Sequence, residues 1–331
     1  MKIAFYNSKD YDREFFSESN KRFNHQLTFF TQRLDNNSVD LCVDHDVVCV
    51  FVNDVLDKEV LKQLSKQKVK LIALRCAGYD NIDIDIARDY GMDVIRVSDY
   101  SPSAVAEHAL GLMLALNRHI CQASEQVRVN NFSIENLLGF DFAGKTIGII
   151  GMGKIGSTLA RITQAMGMRV IAYDSDKSLE FDQQNIELVD FEYLLKNADV
   201  VSIHCPLTKE TKHLINTKTL SIMKNSAMLI NTSRGQIIDT CAVVDALKSK
   251  QIAYLGIDVY ENEKNVFFED LSCEDFSDQV LTELTNMPNV LITSHQGFFT
   301  KDALANIANT TLSNAQNFQL GKPMNENDVL V

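Results

Sequence analysis

Apolar runs of strand length recur along the chain, and stretches with helical spacing separate them. In the first hundred residues the runs are Lys2–Tyr6, Leu27–Phe30, Val47–Val52, Lys70–Cys76 and Asp93–Val97. Between the third and fourth, Leu56, Val60, Leu61 and Leu64 fall on one helical face. This alternation predicts βα units and a parallel sheet covered on both sides. A second series follows Lys145, with runs at Thr146–Ile150, Arg169–Tyr173, Asp199–His204, Ala227–Asn231, Tyr254–Val259 and Val290–Thr293. These are β-branched and apolar on both faces, as buried parallel strands require. Pro102 suits the first turn of a helix that Ser101 can cap. That helix stays apolar through Leu116, so it is expected to cross between domains or form a subunit interface.

Composition narrows the picture. A chain of 331 residues is sized for about two domains. No run approaches the roughly 20 apolar residues that span a bilayer. The opening Met1–Asn7 turns polar too early for a secretory signal. The net charge of −12, with no dense Lys/Arg run, disfavours nucleic acid or an anionic membrane as partner. Seven scattered cysteines form no CxxC pair, so they read as reduced thiols of a cytoplasmic protein, with neither a disulfide framework nor a metal site.

Lys145–Ile150 leads directly into Gly151-Met152-Gly153-Lys154-Ile155-Gly156, and a helical pattern follows. Between a strand and a helix, GxGxxG reads as a dinucleotide turn. Gly151 makes the turn, Gly153 lets the backbone approach pyrophosphate, and Gly156 permits close helix–strand packing. The next strand ends at Asp174, 18 residues past Gly156, where an acidic residue takes the adenosine ribose hydroxyls. Its charge would repel a 2′-phosphate, which favours NAD over NADP. Asp176 is a nearby competitor.

Three segments at strand ends offer chemistry. Asn231-Thr232-Ser233-Arg234-Gly235 places an arginine that can grip a carboxylate through two parallel hydrogen bonds, unless Arg234 pairs with Asp239 instead. Asp258-Val259-Tyr260-Glu261-Asn262-Glu263 offers a carboxylate partner for a histidine, and the pattern does not choose between Glu261 and Glu263. Thr293-Ser294-His295-Gln296-Gly297-Phe298 offers a proton donor suited to neutral pH. Six other histidines compete with His295, whose place after a strand and beside a bend-permitting glycine favours it. Hydride transfer to a 2-keto acid needs such a set: a cation for the carboxylate, polarisation of the carbonyl and a proton for the developing alkoxide.

These segments, with Arg75–Asp83 and Tyr100–His108, resemble the D-isomer-specific 2-hydroxyacid dehydrogenase family over nearly the whole chain, and most closely its branch acting on pyruvate and D-lactate. The resemblance implies that Arg234 holds the substrate carboxylate and polarises the keto group. It implies that Glu263 supports His295, which gives and takes the proton. Backbone N–H groups at Ala77 and Gly78, and the Tyr100 hydroxyl, would touch the substrate, and Phe298 would crowd its side chain. Cofactor contacts carry over to Lys154, Ile155, Asp174, Cys205, Pro206, Thr232, Ser233 and Asp258. Thr211 joins them, though many relatives carry asparagine there.

The implied fold class is α/β, with two doubly wound parallel-sheet domains. A Rossmann NAD-binding domain, 101–297, is inserted into a flavodoxin-like substrate domain formed by 1–100 and 298–331. Relatives close these domains over their ligands and form homodimers through the helix near Pro102, or tetramers. Rival readings are a D-2-hydroxyisocaproate or hydroxypyruvate reductase, and an NAD-sensing binding protein on the same scaffold. Glu263 argues against the formate dehydrogenase relatives, which carry glutamine there. The absence of a regulatory domain after the tail argues against phosphoglycerate dehydrogenase.

Overall fold

The computed structural model describes residues 1–176, 186–264 and 266–331. The chain divides into two compact units. The first comprises Met1–Ser101 and Phe299–Val331, and the second Pro102–Phe298.

The first unit is built on β1 (Lys2–Phe5), β2 (Gln26–Phe29), β3 (Val47–Val50), β4 (Leu71–Leu74) and β5 (Asp93–Ile95). All pair in parallel, in the order β2-β1-β3-β4-β5, which is the flavodoxin-like arrangement. Both faces are covered, because β3 and β4 are buried at every position. Helix Lys58–Lys66 shows how sequence sets the cover. Asp57 accepts hydrogen bonds from the Glu59 and Val60 amides and starts the helix, which buries Val60, Leu61 and Leu64. The apolar run that begins at Lys70 outlasts its strand, since Arg75 and Cys76 stay buried in the loop that follows.

The second unit is built on β6 (Thr146–Ile150), β7 (Arg169–Tyr173), β8 (Ile186–Leu188), β9 (Val200–Ile203), β10 (Met228–Asn231), β11 (Tyr254–Ile257) and β12 (Val290–Ile292). All are parallel, in the order β12-β11-β10-β9-β6-β7-β8. The chain therefore reverses direction across the sheet between β6 and β9, and the crevice outside the carboxyl ends at that point is where open α/β sheets take ligands. Strand β8 was not anticipated from the sequence. It is a three-residue edge strand with an exposed Glu187 at its centre, so it carries no apolar run.

Helix Pro102–Asn117 lies within the second unit and buries Ala106, Ala109, Leu112, Met113 and Leu116 against the core that holds Ile147 and Ile230. The exposed apolar surface lies further on. Helix Ile120–Arg128 buries no residue, and Phe132, Ile134 and Leu138 are 72%, 83% and 90% exposed.

Candidate active site

The glycine turn is made by its backbone. Gly151 has φ +93°, and a β-carbon there would lie 2.6 Å from the Cys205 nitrogen. A β-carbon on Gly156 would lie 2.0 Å from the Gly151 carbonyl oxygen, so the helix Lys154–Ala165 packs directly on the turn. Gly153 is the N-cap of that helix, offers no capping side chain and faces open space. No side chain caps that helix start, and the positive end of the helix dipole there suits a ligand anion. Lys154 and Ile155 are the first residues of the helix. Asp174 lies against the turn, its carboxylate accepting from the Met152 amide at 2.7 Å and the Asp176 amide at 3.0 Å. Asp176 itself is exposed.

Across the crevice, the ends of β9 and β10 are tied together. The Ser233 hydroxyl donates to the Cys205 carbonyl at 2.5 Å. Burial pushes the Cys205 thiol up to about 11, so the group stays protonated at neutral pH. Burial also pushes His204 down to about 4. The Thr232 hydroxyl oxygen and His204 Nδ1 are buried polar atoms with no hydrogen-bond partner among the described residues. Such groups are costly unless something pairs with them, and a polar ligand edge at the crevice fits the Thr232 hydroxyl, which follows the carboxyl end of β10. Thr211 differs: its hydroxyl donates to the Pro206 carbonyl at 2.7 Å and accepts from the Thr208 amide at 2.7 Å, closing its own loop.

Arg234 follows β10 on a turn braced by Asn231. That side chain is fully buried, donates to the Arg234 carbonyl at 2.9 Å and accepts from the Ser233 amide at 3.0 Å. Arg234 Nη1 donates to the Ser233 carbonyl at 2.8 Å. Asp239, the rival partner for Arg234, instead caps helix Thr240–Lys248 by accepting from the Ala242 amide. Gly235 is a forced choice, since a β-carbon would sit 2.1 Å from the Tyr260 carbonyl carbon and 2.4 Å from the Glu261 nitrogen. The Arg234 turn thus lies backbone to backbone with the loop that carries both glutamates. Gly235→Ala is expected to push them apart. The cost is about 3 kcal/mol or more of stability, together with a loss of turnover exceeding a hundredfold. Denaturant unfolding and steady-state kinetics check it, and a variant unchanged in both contradicts the packing.

The geometry separates the two glutamates. Glu263 Oε1 lies 3.0 Å from His295 Nδ1, while its Oε2 accepts from the Tyr260 amide at 3.0 Å. Glu261 Oε1 lies 2.6 Å from His213 Nε2, and its Oε2 accepts from the Thr240 amide at 3.1 Å. The His213 amide donates to the Gln236 carbonyl, so this second pair straps the Arg234 turn from the far side. Burial opposes the Glu261 charge, but the Thr240 and His213 donors outweigh it and hold the carboxyl below its usual range.

His295 itself adopts φ +54°, uncommon for a residue with a side chain. The sequence placed the bend at Gly297; the structure places it at His295. Asp258, 1% exposed, explains how the bend is held. Its carboxylate accepts from the Gln296 amide at 2.9 Å, the Gly297 amide at 2.8 Å and the Thr293 hydroxyl at 2.5 Å. Its carbonyl accepts from the His295 amide at 2.7 Å. His108 Nε2 approaches the same carboxylate at 3.2 Å and the Thr293 hydroxyl at 2.9 Å. Burial alone would raise the Asp258 pKa; the donors from His108 and Thr293 and the Gln296 amide reverse that and keep it ionised. His108, Thr293, His213 and Asn231 were not singled out from sequence. His108 and Thr293 lie 185 residues apart in sequence, and no local pattern marks such a pair. Phe298 is buried beside this turn.

The other sequence-derived residues belong to the first unit. Ala77 and Gly78 lie half-buried on the loop after β4, and the Cys76 thiol donates to the Gly78 carbonyl. Tyr100 is half-buried, and its carbonyl accepts from Asn306 Nδ2 at 2.8 Å.

Residues 110–297 match the family model described as D-isomer specific 2-hydroxyacid dehydrogenase, NAD binding domain. Over 322 residues the chain is 45% identical to the D-lactate dehydrogenase of Escherichia coli strain K12, covering 97% of this chain and 98% of that protein. The chain belongs to the D-isomer-specific 2-hydroxyacid dehydrogenase family. Another relative, a 2-hydroxyacid dehydrogenase homolog of Haemophilus influenzae, is 46% identical over 97% of each chain. The solved structure of the pyruvate reductase of Chlamydomonas reinhardtii superposes with a TM-score of 0.91 at 40% identity, over 98% of both chains. Like other members of the D-isomer-specific dehydrogenase family, this one is an NAD-dependent oxidoreductase, and the crevice between β6 and β9 belongs to its NAD-binding domain. No described helix is long and apolar enough to cross a membrane.

Proposed function

We propose that this protein is a D-lactate dehydrogenase, which reversibly reduces pyruvate to D-lactate with NADH. One observation carries the reading. Arg234, Glu263 and His295 stand beyond the carboxyl ends of β10, β11 and β12, three neighbouring strands of one sheet, and His295 is already paired with Glu263. Relatives named D-lactate dehydrogenase and pyruvate reductase supply the choice of substrate.

NADH supplies the hydride when bound. The crevice fits it: open Gly153, the helix start that no side chain caps and the Thr232 hydroxyl, unpaired among the described residues, would hold it, and Asp174 would take the ribose hydroxyls. Ser233, Lys154, Ile155, Cys205 and Pro206 complete that wall in our reading, with Thr211 and Asp258 acting through the loops they hold. Arg234 grips the pyruvate carboxylate with its planar fork and sets positive charge beside the keto oxygen. The pair with Glu263 uses His295 Nδ1, which leaves Nε2 to face the substrate. From there His295 donates a proton to the oxygen as the alkoxide develops, and takes it back in the oxidation. Glu263 fixes the ring orientation and stabilises the ring's positive charge while it holds both protons.

In the first unit, the Ala77 and Gly78 amides and the Tyr100 hydroxyl bind the substrate. Phe298 limits its side chain. A homodimer would form through the helix that starts at Pro102, and the exposed Ile120, Val129, Phe132, Ile134 and Leu138 that follow it offer apolar side chains a second copy would cover. The seven cysteines are thiols outside any disulfide, four of them buried, which supports a cytoplasmic setting. The test is loss of NADH absorbance on adding pyruvate, repeated with NADPH. Turnover with NADH and little with NADPH is expected; no turnover with any short 2-keto acid overturns the reading.

A further inference from the structure

The loop Cys76–Tyr79 lies between two arginines that do different work. Arg75 is spent inside the core: its guanidinium is 2% exposed, lies 3.2 Å from Asp12, donates to the Asn7 carbonyl at 2.9 Å and covers the Phe51 ring. Arg96 is half-buried and turned to the loop. Its Nη1 donates to the Ala77 carbonyl at 3.0 Å, and its guanidinium carbon stands 5.1 Å from the centre of the Tyr79 ring. The position is fixed from behind, because Nε donates to the Asn327 carbonyl at 3.0 Å and the Arg96 amide donates to the Asp328 carbonyl at 2.8 Å. Asp328 is anchored in turn by the Ser98 hydroxyl and amide and by Asn314.

The Ala77 carbonyl and the Gly78 N–H belong to one peptide group. A cation bonded to the oxygen of a peptide draws electron density from its nitrogen and makes the N–H a stronger donor. Hydrogen bonds in such a chain reinforce one another. We propose that Arg96 is a positioning residue for the substrate carboxylate, acting through the Ala77–Gly78 peptide. It touches no substrate. It holds the loop in place and charges the Gly78 N–H, so that the amide binds an anion better than an unassisted backbone donor would. The proposal rests on the reading that the Gly78 amide meets the carboxylate, and it adds the reason why a neutral amide there can discriminate for an acid. The Tyr79 ring lies within cation–π distance of the guanidinium and helps to keep it beside the loop.

The effect belongs to the charge of the substrate, and this separates it from a loss of fold. Arg96→Gln is assayed with pyruvate and with methyl pyruvate, whose ester carries no charge. The expected result is a KM for pyruvate raised about tenfold, with kcat and NADH affinity nearly unchanged and little effect on the ester. Arg96→Lys keeps the cation and is expected to recover most of the loss; it also serves if the glutamine variant does not fold. Equal losses for acid and ester in either variant, or no loss in Arg96→Gln, overturn the proposal. Gly78→Pro, which removes the N–H, distinguishes the two levels. If it leaves the KM for pyruvate unchanged, the loop does not bind the carboxylate and the underlying reading fails. If it raises the KM while Arg96→Gln does not, Arg96 alone loses its role.

Discussion

His295→Gln is expected to lower kcat for pyruvate reduction by about a thousandfold, while NADH still binds with nearly native affinity. A positioned general acid contributes about 10²–10⁴ in rate, and glutamine fills much of the same space without a proton to give at neutral pH. The surrounding turn should survive, because it is held by groups other than the ring. Asp258 binds the Gln296 and Gly297 amides through its carboxylate and the His295 amide through its carbonyl. Cofactor affinity should also survive, since the Gly151–Gly156 turn and Asp174 are made by other elements. The check pairs steady-state kinetics with quenching of NADH fluorescence. Near-native kcat would remove His295 from proton transfer.

Arg234→Lys is expected to lower kcat/KM for pyruvate by about 10²–10³. A carboxylate held by a planar fork receives two parallel charge-assisted bonds, whereas lysine offers one point charge on a flexible stem. Loss of one such bond costs about 1.5–3 kcal/mol, and each 1.36 kcal/mol is a factor of ten in rate. The geometry here makes the exchange harsher, because Arg234 Nη1 is also fixed on the Ser233 carbonyl. Lysine loses that anchor with the fork. The NADH dissociation constant should move little. A pyruvate dependence unchanged from the native enzyme would mean that another cation grips the carboxylate.

How much of this was legible in the sequence follows from how local each feature is. The Gly151–Gly156 turn needs only a strand, six residues and a helix, so it reads directly. Asp174 reads almost as well, because it terminates the next strand, and its bond to the Met152 amide is the physical form of that spacing. The parallel order of both sheets follows from buried strands joined by helices. Strand β8 escaped because an exposed edge position tolerates Glu187. The glutamates were ambiguous because what separates them is the partner each meets, His213 for Glu261 and His295 for Glu263. The bend at His295 was credited to the wrong residue for a similar reason. Its cause is a buried aspartate from the neighbouring strand end, and a sequence pattern carries no trace of that contact. Tertiary networks such as Asp258 with His108 and Thr293 hold the candidate site; the local motifs only mark where to look.

The most direct test of the central claim is chiral analysis of the product formed from pyruvate and NADH. Rapid NADH oxidation is expected, with lactate of the D configuration alone. Formation of L-lactate, or no product with pyruvate or any other short 2-keto acid, would contradict it.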